Sequence, residues 1–495
     1  MTLRRDPAGL THRDADWAGL RVLVAGLGIS GFAAADTLAE RGAHVLVVDA
    51  TQPKEGSPAW ERARILDVLE VDVRTGPAAT AALPEDRDVD LVVTSPGWRP
   101  DQPLLAAAAG VGIPVWGEVE LAWRMRAATG AAPWLTITGT NGKTTTVQML
   151  ATMLRAAGLR ATSAGNVGTP ILDAVMDPEP FDVIAVELSS FQLHWSHSIS
   201  PLASACLNIA PDHIDWHGSF EEYWSAKAKV YARSQVACVY NVADEQTRRM
   251  VEDAEVVAGA RAIGFTTGVP APSMVGVVDD VLADRAFVDD RRRSAAELGT
   301  LADLARDGAA APPHVVANAL AAAALARAYG IPPVAVRDGL RAFVPEPHRV
   351  AQVAEIAGVR YVDDSKATNP HAAQASLRAF ERVVWIAGGL LKGADIDPLV
   401  AEMAPRLRGV VLLGADRVQI ARSLARHAPE VPVVDVSDTD TGAMDNAVRA
   451  AADLAHPGDV VLLAPAAASM DMFADYKARG DAFAHAVRAL RPSGG

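Results

Sequence analysis

The segment of this chain best equipped for chemistry is Thr138-Gly139-Thr140-Asn141-Gly142-Lys143-Thr144-Thr145. It follows the apolar run Trp134–Ile137 and opens a helical pattern that continues to about Ala157. Glycines let a backbone wrap phosphate oxygens, a lysine sets a cation against the β/γ oxygens, and the next hydroxyl reaches a magnesium ion. Gly139, Thr140, Asn141, Gly142, Lys143, Thr144 and Thr145 are therefore read as a nucleotide-binding loop. It is shorter than the G-x-x-x-x-G-K-[ST] form. The competing reading is a plain glycine turn with a solvated lysine, which leaves the strand–loop–helix setting unexplained.

Two acidic sites belong beside such a loop. Glu187 ends the buried-type strand Phe181–Val186, the place where a metal-binding carboxylate is needed. Asp212-His213-Ile214-Asp215-Trp216-His217 packs acids and histidines together after a strand that ends at Asn208. His213 and His217 are spaced H-x₃-H, but with no cysteine pair beside them this cluster does not read as zinc. A hard Mg²⁺ ion takes oxygen ligands and tolerates one imidazole. His217 is read as structural.

A second glycine loop, Gly26-Leu27-Gly28-Ile29-Ser30-Gly31, lies near the start of the chain. Gly28, Ile29, Ser30 and Gly31 open a helix whose free N–H groups suit a phosphate. Asp49 ends the following strand, where a dinucleotide site would contact a ribose hydroxyl. The third glycine comes one residue early for G-x-G-x-x-G. Three readings stay open on the residues alone: a nicotinamide dinucleotide, a uridine diphosphate, or a tight turn with no ligand.

These loops need sheets to hold them, and the pattern restarts three times. Strands at Arg21–Ala25, His44–Val48, Leu91–Thr94 and Ile113–Trp116 alternate with helical runs. A second set runs through Trp134–Thr138, Val183–Val186, Ala203–Asn208 and Val236–Asn241, then weakens between about Pro270 and Pro313 into short antiparallel strands and loops. The helix Val315–Tyr329 closes it. After Pro345-Glu346-Pro347, strands at Val359–Val362, Val383–Ala387, Val410–Leu413 and Val460–Leu463 form a third set. The expectation is an α/β protein of three domains, divided at 1–125, 126–346 and 347–495. The first and last are Rossmann-like; the middle one is P-loop ATPase-like with a mostly parallel sheet.

Bulk properties exclude other classes. The 495 residues are half apolar and 21% charged, a globular composition that is too long for one core. A formal charge of −14 disfavours a nucleic-acid surface. Two cysteines, Cys206 and Cys238, give no disulfide framework and suit a reducing compartment. The N-terminal segment lacks the apolar run of a signal peptide, and no apolar stretch approaches the roughly 20 residues of a membrane span. The expectation is a cytoplasmic protein with no membrane insertion.

Taken together, the motifs resemble the Mur ligases and the related folylpolyglutamate synthases. Shared with them are the loop Gly139–Thr145, Glu187–Gln192 (E-L-S-S-F-Q), Leu207–Asp215 (L-N-I-A-P-D-H-I-D), Ala317–Ala322 (A-N-A-L-A-A) and Pro347–Arg349 (P-H-R). Folylpolyglutamate synthases lack an N-terminal glycine-loop domain. Within the Mur ligases, Asp363–Pro370 (D-D-S-K-A-T-N-P), Gly388–Gly393 and Pro465–Asp471 resemble the branch that adds D-glutamate, with another amino-acid acceptor as the alternative. A D-N-P-R acceptor segment and a D-Y-A-H-H-P run, marks of other branches, are not found.

The resemblance implies an ATP-dependent acid–D-amino-acid ligase. Its partners would be UDP-N-acetylmuramoyl-L-alanine, D-glutamate and ATP, with two Mg²⁺ sites, no NAD, no zinc, and a monomeric protein. It also implies roles. Lys143, His213, Lys227, Arg349 and Lys366 would be catalytic. Asn318, Arg349 and Asp364 would join the loop around ATP. Gly28, Ile29, Ser30, Gly31, Ser95, Asn166 and Ser189 would hold the UDP-sugar. Thr368, Lys392, Ser469 and Tyr476 would hold D-glutamate. Thr144, Glu187, His213 and a carbamylated Lys227 would bind metal; carbamylation turns an ammonium into the anionic oxygen ligand that Mg²⁺ prefers. Where some relatives have Thr-Arg after Asp49, this chain has Ala50-Thr51, so uracil contacts differ there.

Overall fold

The computed structural model describes residues 4–305, 310–345, 347–437 and 442–490. It contains three sheets, each covered by helices. The first has strands β1 (Arg21–Ala25), β2 (His44–Asp49), β3 (Asp72–Thr75), β4 (Leu91–Thr94) and β5 (Val115–Gly117), all parallel, in the order β3-β2-β1-β4-β5. The order reverses beside β1, and ligands in such sheets collect at the carboxyl ends next to that switch. The glycine loop leaves β1 there.

The second sheet orders its nine strands β14-β13-β12-β11-β10-β9-β6-β8-β7. β6 (Trp134–Thr138), β7 (Ala161–Gly165), β8 (Val183–Glu187), β9 (Ala203–Cys206), β10 (Ala237–Asn241) and β11 (Arg261–Phe265) run parallel. β12 (Met274–Val278), parallel to β11, starts an antiparallel meander with β13 (Val281–Asp284) and β14 (Ala296–Thr300). The weak pattern after Pro270 is thus a short antiparallel extension, as its charges and breaks suggest; residues 306–309 of that stretch lie outside the described residues.

The third sheet runs β15-β16-β20-β17-β18-β19. Its strands are β15 (Ala351–Ile356), β16 (Val359–Asp363), β17 (Val383–Gly388), β18 (Leu407–Leu413), β19 (Val433–Asp435) and β20 (Val460–Leu463), parallel apart from the antiparallel edge β15. Glu346, in the break before this sheet, lies outside the described residues.

Two compact units result. One comprises Met1–Ile209, Trp216–Ala311 and Val315–Phe343, with the first two sheets; the other comprises Ala210–Asp215, Pro312–His314 and Val344–Gly495, with the third. In the first unit a single apolar cluster joins Val22, Trp116 and Val119 to Trp134, Ile171 and Val186, so both sheets share a core. Glu120 reinforces that junction. Fully buried, it accepts from the His197 (2.7 Å) and Ser198 (2.9 Å) backbone N–H groups and from Arg124 Nε (2.7 Å). A buried carboxylate is retained when donors surround it in this way.

The other face of the second sheet carries helices Lys143–Ala156 and Pro313–Tyr329. Ala321–Ala324 are buried in that packing, and such small side chains fit where helix and sheet approach closely. Cys206 and Cys238 are free and buried. Among the described residues no helix is long and apolar enough to cross a membrane.

Candidate active site

In the first unit the phosphate loop leaves the end of β6, between neighbours β9 and β8. Asn208, just beyond β9, clamps it: its Oδ1 accepts from Asn141 N (2.9 Å), its Nδ2 donates to Asn141 O (3.1 Å), and its carbonyl accepts from Thr140 N (3.0 Å). Gly142 is left-handed at φ 84°, and a Cβ there would lie 2.4 Å from Asn318 Oδ1. The turn therefore needs glycine, and Asn318 sits directly against the loop. Lys143 Nζ closes on the loop's own carbonyls, Gly139 O at 2.9 Å and Thr140 O at 3.0 Å. Thr144 and Thr145 start the helix and are buried, and Thr140 Oγ1 pairs with the Tyr223 hydroxyl at 2.9 Å.

Glu187, at the end of β8, is 1% exposed. Its Oε1 accepts from Asn166 Nδ2 (2.9 Å), and its carbonyl accepts from Asn166 N (2.9 Å). Its Oε2 is buried without a hydrogen-bond partner. A carboxyl oxygen buried without a partner suits a cation, and a Mg²⁺ ion held by oxygen ligands fits the donor set. Lys227 lies on helix Phe220–Ala228 and is 2% exposed. Its Nζ donates to Gly139 O (2.8 Å) and Thr138 Oγ1 (3.3 Å), which brings it under the same loop. Ser189 caps the next helix in a reciprocal box with Gln192.

The other glycine loop is also built for close approach. A Cβ on Gly31 would stand 1.9 Å from Gly26 O. Gly28 caps helix Ile29–Glu40, leaving Ile29 65% exposed, and the buried Ser95 Oγ beside the loop has no partner. Asp49 braces this turn by accepting from Leu27 N and Thr51 N, both at 2.8 Å.

The second unit holds Arg349, Asp364, Lys366, Thr368, Lys392 and Ser469 on the loops of the third sheet, with Tyr476 opening the helix Tyr476–Ala489. Lys366 Nζ lies 3.9 Å over the Tyr476 ring, a cation–π contact. Lys392 is exposed on a left-handed turn at φ 52°, and Leu390 bridges Ala468 next to buried Ser469. His213 belongs to the segment Ala210–Asp215 of this unit, with its N–H donating to Asp212 Oδ1 at 2.9 Å.

Arg479 organises these loops, and sequence reasoning misses it. It is 1% exposed and donates to Ser365 Oγ (3.0 Å), Ser365 O (2.9 Å) and Ala467 O (3.0 Å). Burial pulls its guanidinium down to about 10. A helical arginine reads as surface; its spacing from Tyr476, one turn along the same helix, is the signal that could reveal it. Asn208 is equally easy to pass over, because it lies inside a longer motif.

Burial pushes the Asp364 carboxyl up to about 6, against a hydrogen bond from Ser376 and the field of Arg349. The native carboxyl thus holds its proton more tightly than the unfolded chain does. Its contribution to stability is full below about pH 4 and lost as pH rises through about 6, on the order of 3 kcal/mol at most. Asp364→Asn is expected to remove that fall. Urea midpoints of both proteins between about pH 4 and pH 7 check it, and parallel curves would refute the assignment.

Known proteins match this arrangement along most of the chain. The model of the MurD-like N-terminal domain of Mur ligases matches residues 20–117, the Mur ligase middle domain 137–326, and the Mur ligase glutamate ligase domain 348–467. A UDP-N-acetylmuramoylalanine--D-glutamate ligase of Streptomyces avermitilis is 59% identical, covering 96% of this chain and 99% of its own. Ligases of the same name from Thermobifida fusca (58%; 95% of this chain, 99% of its own) and Mycobacterium avium (47%; 95% and 97%) align similarly. Among solved structures, UDP-N-acetylmuramate-alanine ligase MurC from Thermotoga maritima shares the fold at TM-score 0.53 and 18% identity, over 95% of this chain and 100% of that one. With loops, sheets and full-length likeness in agreement, the chain belongs to the Mur ligase family.

Proposed function

We propose that this protein is an ATP-dependent ligase that joins D-glutamate to UDP-N-acetylmuramoyl-L-alanine in peptidoglycan synthesis. The observation that carries this reading is the likeness, over at least 95% of the chain, to relatives named for that reaction. In this reading residues 1–125 hold the UDP-sugar, 126–346 hold ATP, and 347–495 hold the amino acid. For the first glycine loop this reading takes a UDP-sugar rather than a dinucleotide, because the third glycine comes one residue early for the dinucleotide pattern.

An amide forms uphill from a carboxylate and an amine in water, so the carboxylate is activated first. The alanyl carboxylate attacks the ATP γ-phosphorus and releases ADP, giving an acyl phosphate. The amine of D-glutamate then attacks the acyl carbon, and the tetrahedral intermediate expels phosphate. Both steps bring anions together, so catalysis is chiefly positioning and charge neutralisation. Lys143, freed from its own loop carbonyls, binds the β/γ oxygens, with Arg349 and Lys366 adding positive charge. Asn318 and Asp364 hold the nucleoside. Gly28, Ile29, Ser30, Gly31, Ser95, Asn166 and Ser189 orient the UDP-sugar. Thr368, Lys392, Ser469 and Tyr476 fix D-glutamate, the lysine answering a carboxylate. Thr144, Glu187, His213 and carbamylated Lys227 are the proposed Mg²⁺ ligands, two ions in all, which when bound neutralise phosphate charge. The protein works as a cytoplasmic monomer, and its charge of −14 argues against nucleic-acid partners.

Phosphate release from ATP with UDP-N-acetylmuramoyl-L-alanine tests the acceptor. D-glutamate is expected to drive release, while L-glutamate and meso-diaminopimelate leave it at background. Release driven by meso-diaminopimelate instead would assign a different acceptor branch.

A further inference from the structure

A cavity of about 250 Å³ lies in the first unit, beneath the phosphate-loop strand and apart from the groups assigned above. Its polar lining consists of Thr136, Ser196, His197, Lys229 and Arg233, and among the described residues no carboxylate forms part of its walls. Leu188, Ile199 and Val230 contribute apolar surface.

Thr136 is fully buried, and its Oγ1 has no hydrogen-bond partner. An orphaned hydroxyl in the floor of a cavity is a group waiting for an acceptor. At the mouth, both cations bond carbonyls: Lys229 Nζ donates to His194 O (2.7 Å), and Arg233 donates to His197 O and Ile199 O. A carbonyl satisfies one donor but does not neutralise a charge, and an ammonium carries three donors; the field of Glu120 reaches Lys229, but that carboxylate is already paired with Arg124. The walls therefore offer positive charge and O–H donors around an apolar middle.

We propose that this cavity binds a small aliphatic carboxylate, its oxygens on Lys229 and Thr136 and its hydrocarbon against Leu188 and Val230. Such an occupant would touch the strand carrying the phosphate loop. Thr136 is two residues before Thr138 on β6, so both side chains face the same way, and Thr138 Oγ1 donates to Leu188 O at 2.8 Å.

Saturation-transfer NMR on the whole chain tests this, with isovalerate as probe and neutral isovaleramide as control. Isovalerate is expected to bind and isovaleramide to stay silent. Lys229→Gln and Thr136→Val should each weaken isovalerate about ten-fold, the value of one charge-assisted hydrogen bond. Excess ATP and D-glutamate should leave the signal in place. The proposal is overturned if acid and amide bind alike, if isovalerate does not bind, if neither substitution weakens it, or if D-glutamate displaces it. Should Thr136→Val not fold, Thr136→Ala takes its place under the same criterion.

Discussion

Lys143→Ala is expected to abolish ATP-dependent phosphate release, by roughly a thousand-fold or more, while leaving the fold intact. The size follows from what the side chain does: removing one preorganised donor to a developing phosphate charge costs about a hundred- to a thousand-fold, and here a full positive charge goes too. The fold survives because Lys143 is only half-buried and its ammonium bonds the loop carbonyls of Gly139 and Thr140. Gly139 O also keeps Lys227 Nζ as a second donor. Thermal unfolding alongside phosphate release checks both halves, and near-normal turnover in a folded variant would sink the phosphate-loop assignment.

The second large effect is at Lys227. Truncation to alanine should lower turnover by at least about a hundred-fold, with partial restoration by acetate or propionate. A lysine 2% exposed, beneath the phosphate loop and bonded to Thr138 at the end of its strand, is badly placed for a solvated surface role. If its working form is the carbamate, a short carboxylic acid diffusing into the space left by the side chain returns the missing oxygen ligand. The parent protein gains nothing from the same acid. Absence of rescue across acetate and propionate would leave the carbamate reading without support.

Of the two, Lys143 is legible in the amino-acid sequence itself, whereas Lys227 enters only through the family resemblance, and the reason is physical. Phosphate chemistry needs glycine and lysine at fixed spacing, and buried parallel strands such as β6, β8 and β17 need unbroken apolar runs. The strands that the sequence pattern does not reveal are mostly those free of that constraint. β3, β7, β15 and β19 are edge strands, and β3 is nowhere fully buried, so none carries the continuous apolar pattern. β11, equally hard to see, is interior, but its Arg-Ala-Ile-Gly-Phe leaves only three buried residues in a row.

The same division applies to the site. Gly139–Thr145 and Glu187 declare their chemistry by type and place. Asn208, Glu120 and Arg479 do not, because their work depends on partners about 65 to 115 residues away in the chain. Asp49 is legible by place but not by partner: its position suggests a ribose contact, and its carboxylate also accepts from Leu27 N and Thr51 N.

The central claim is that ATP activates the alanyl carboxylate for attack by D-glutamate, and one isotope measurement tests it most directly. UDP-N-acetylmuramoyl-L-alanine labelled with ¹⁸O in its carboxylate is turned over with ATP and D-glutamate, and phosphate and product are weighed by mass spectrometry. The account predicts one labelled oxygen transferred to phosphate and a product heavier by a D-glutamyl residue. Unlabelled phosphate, or phosphate released with no amide formed, would contradict it.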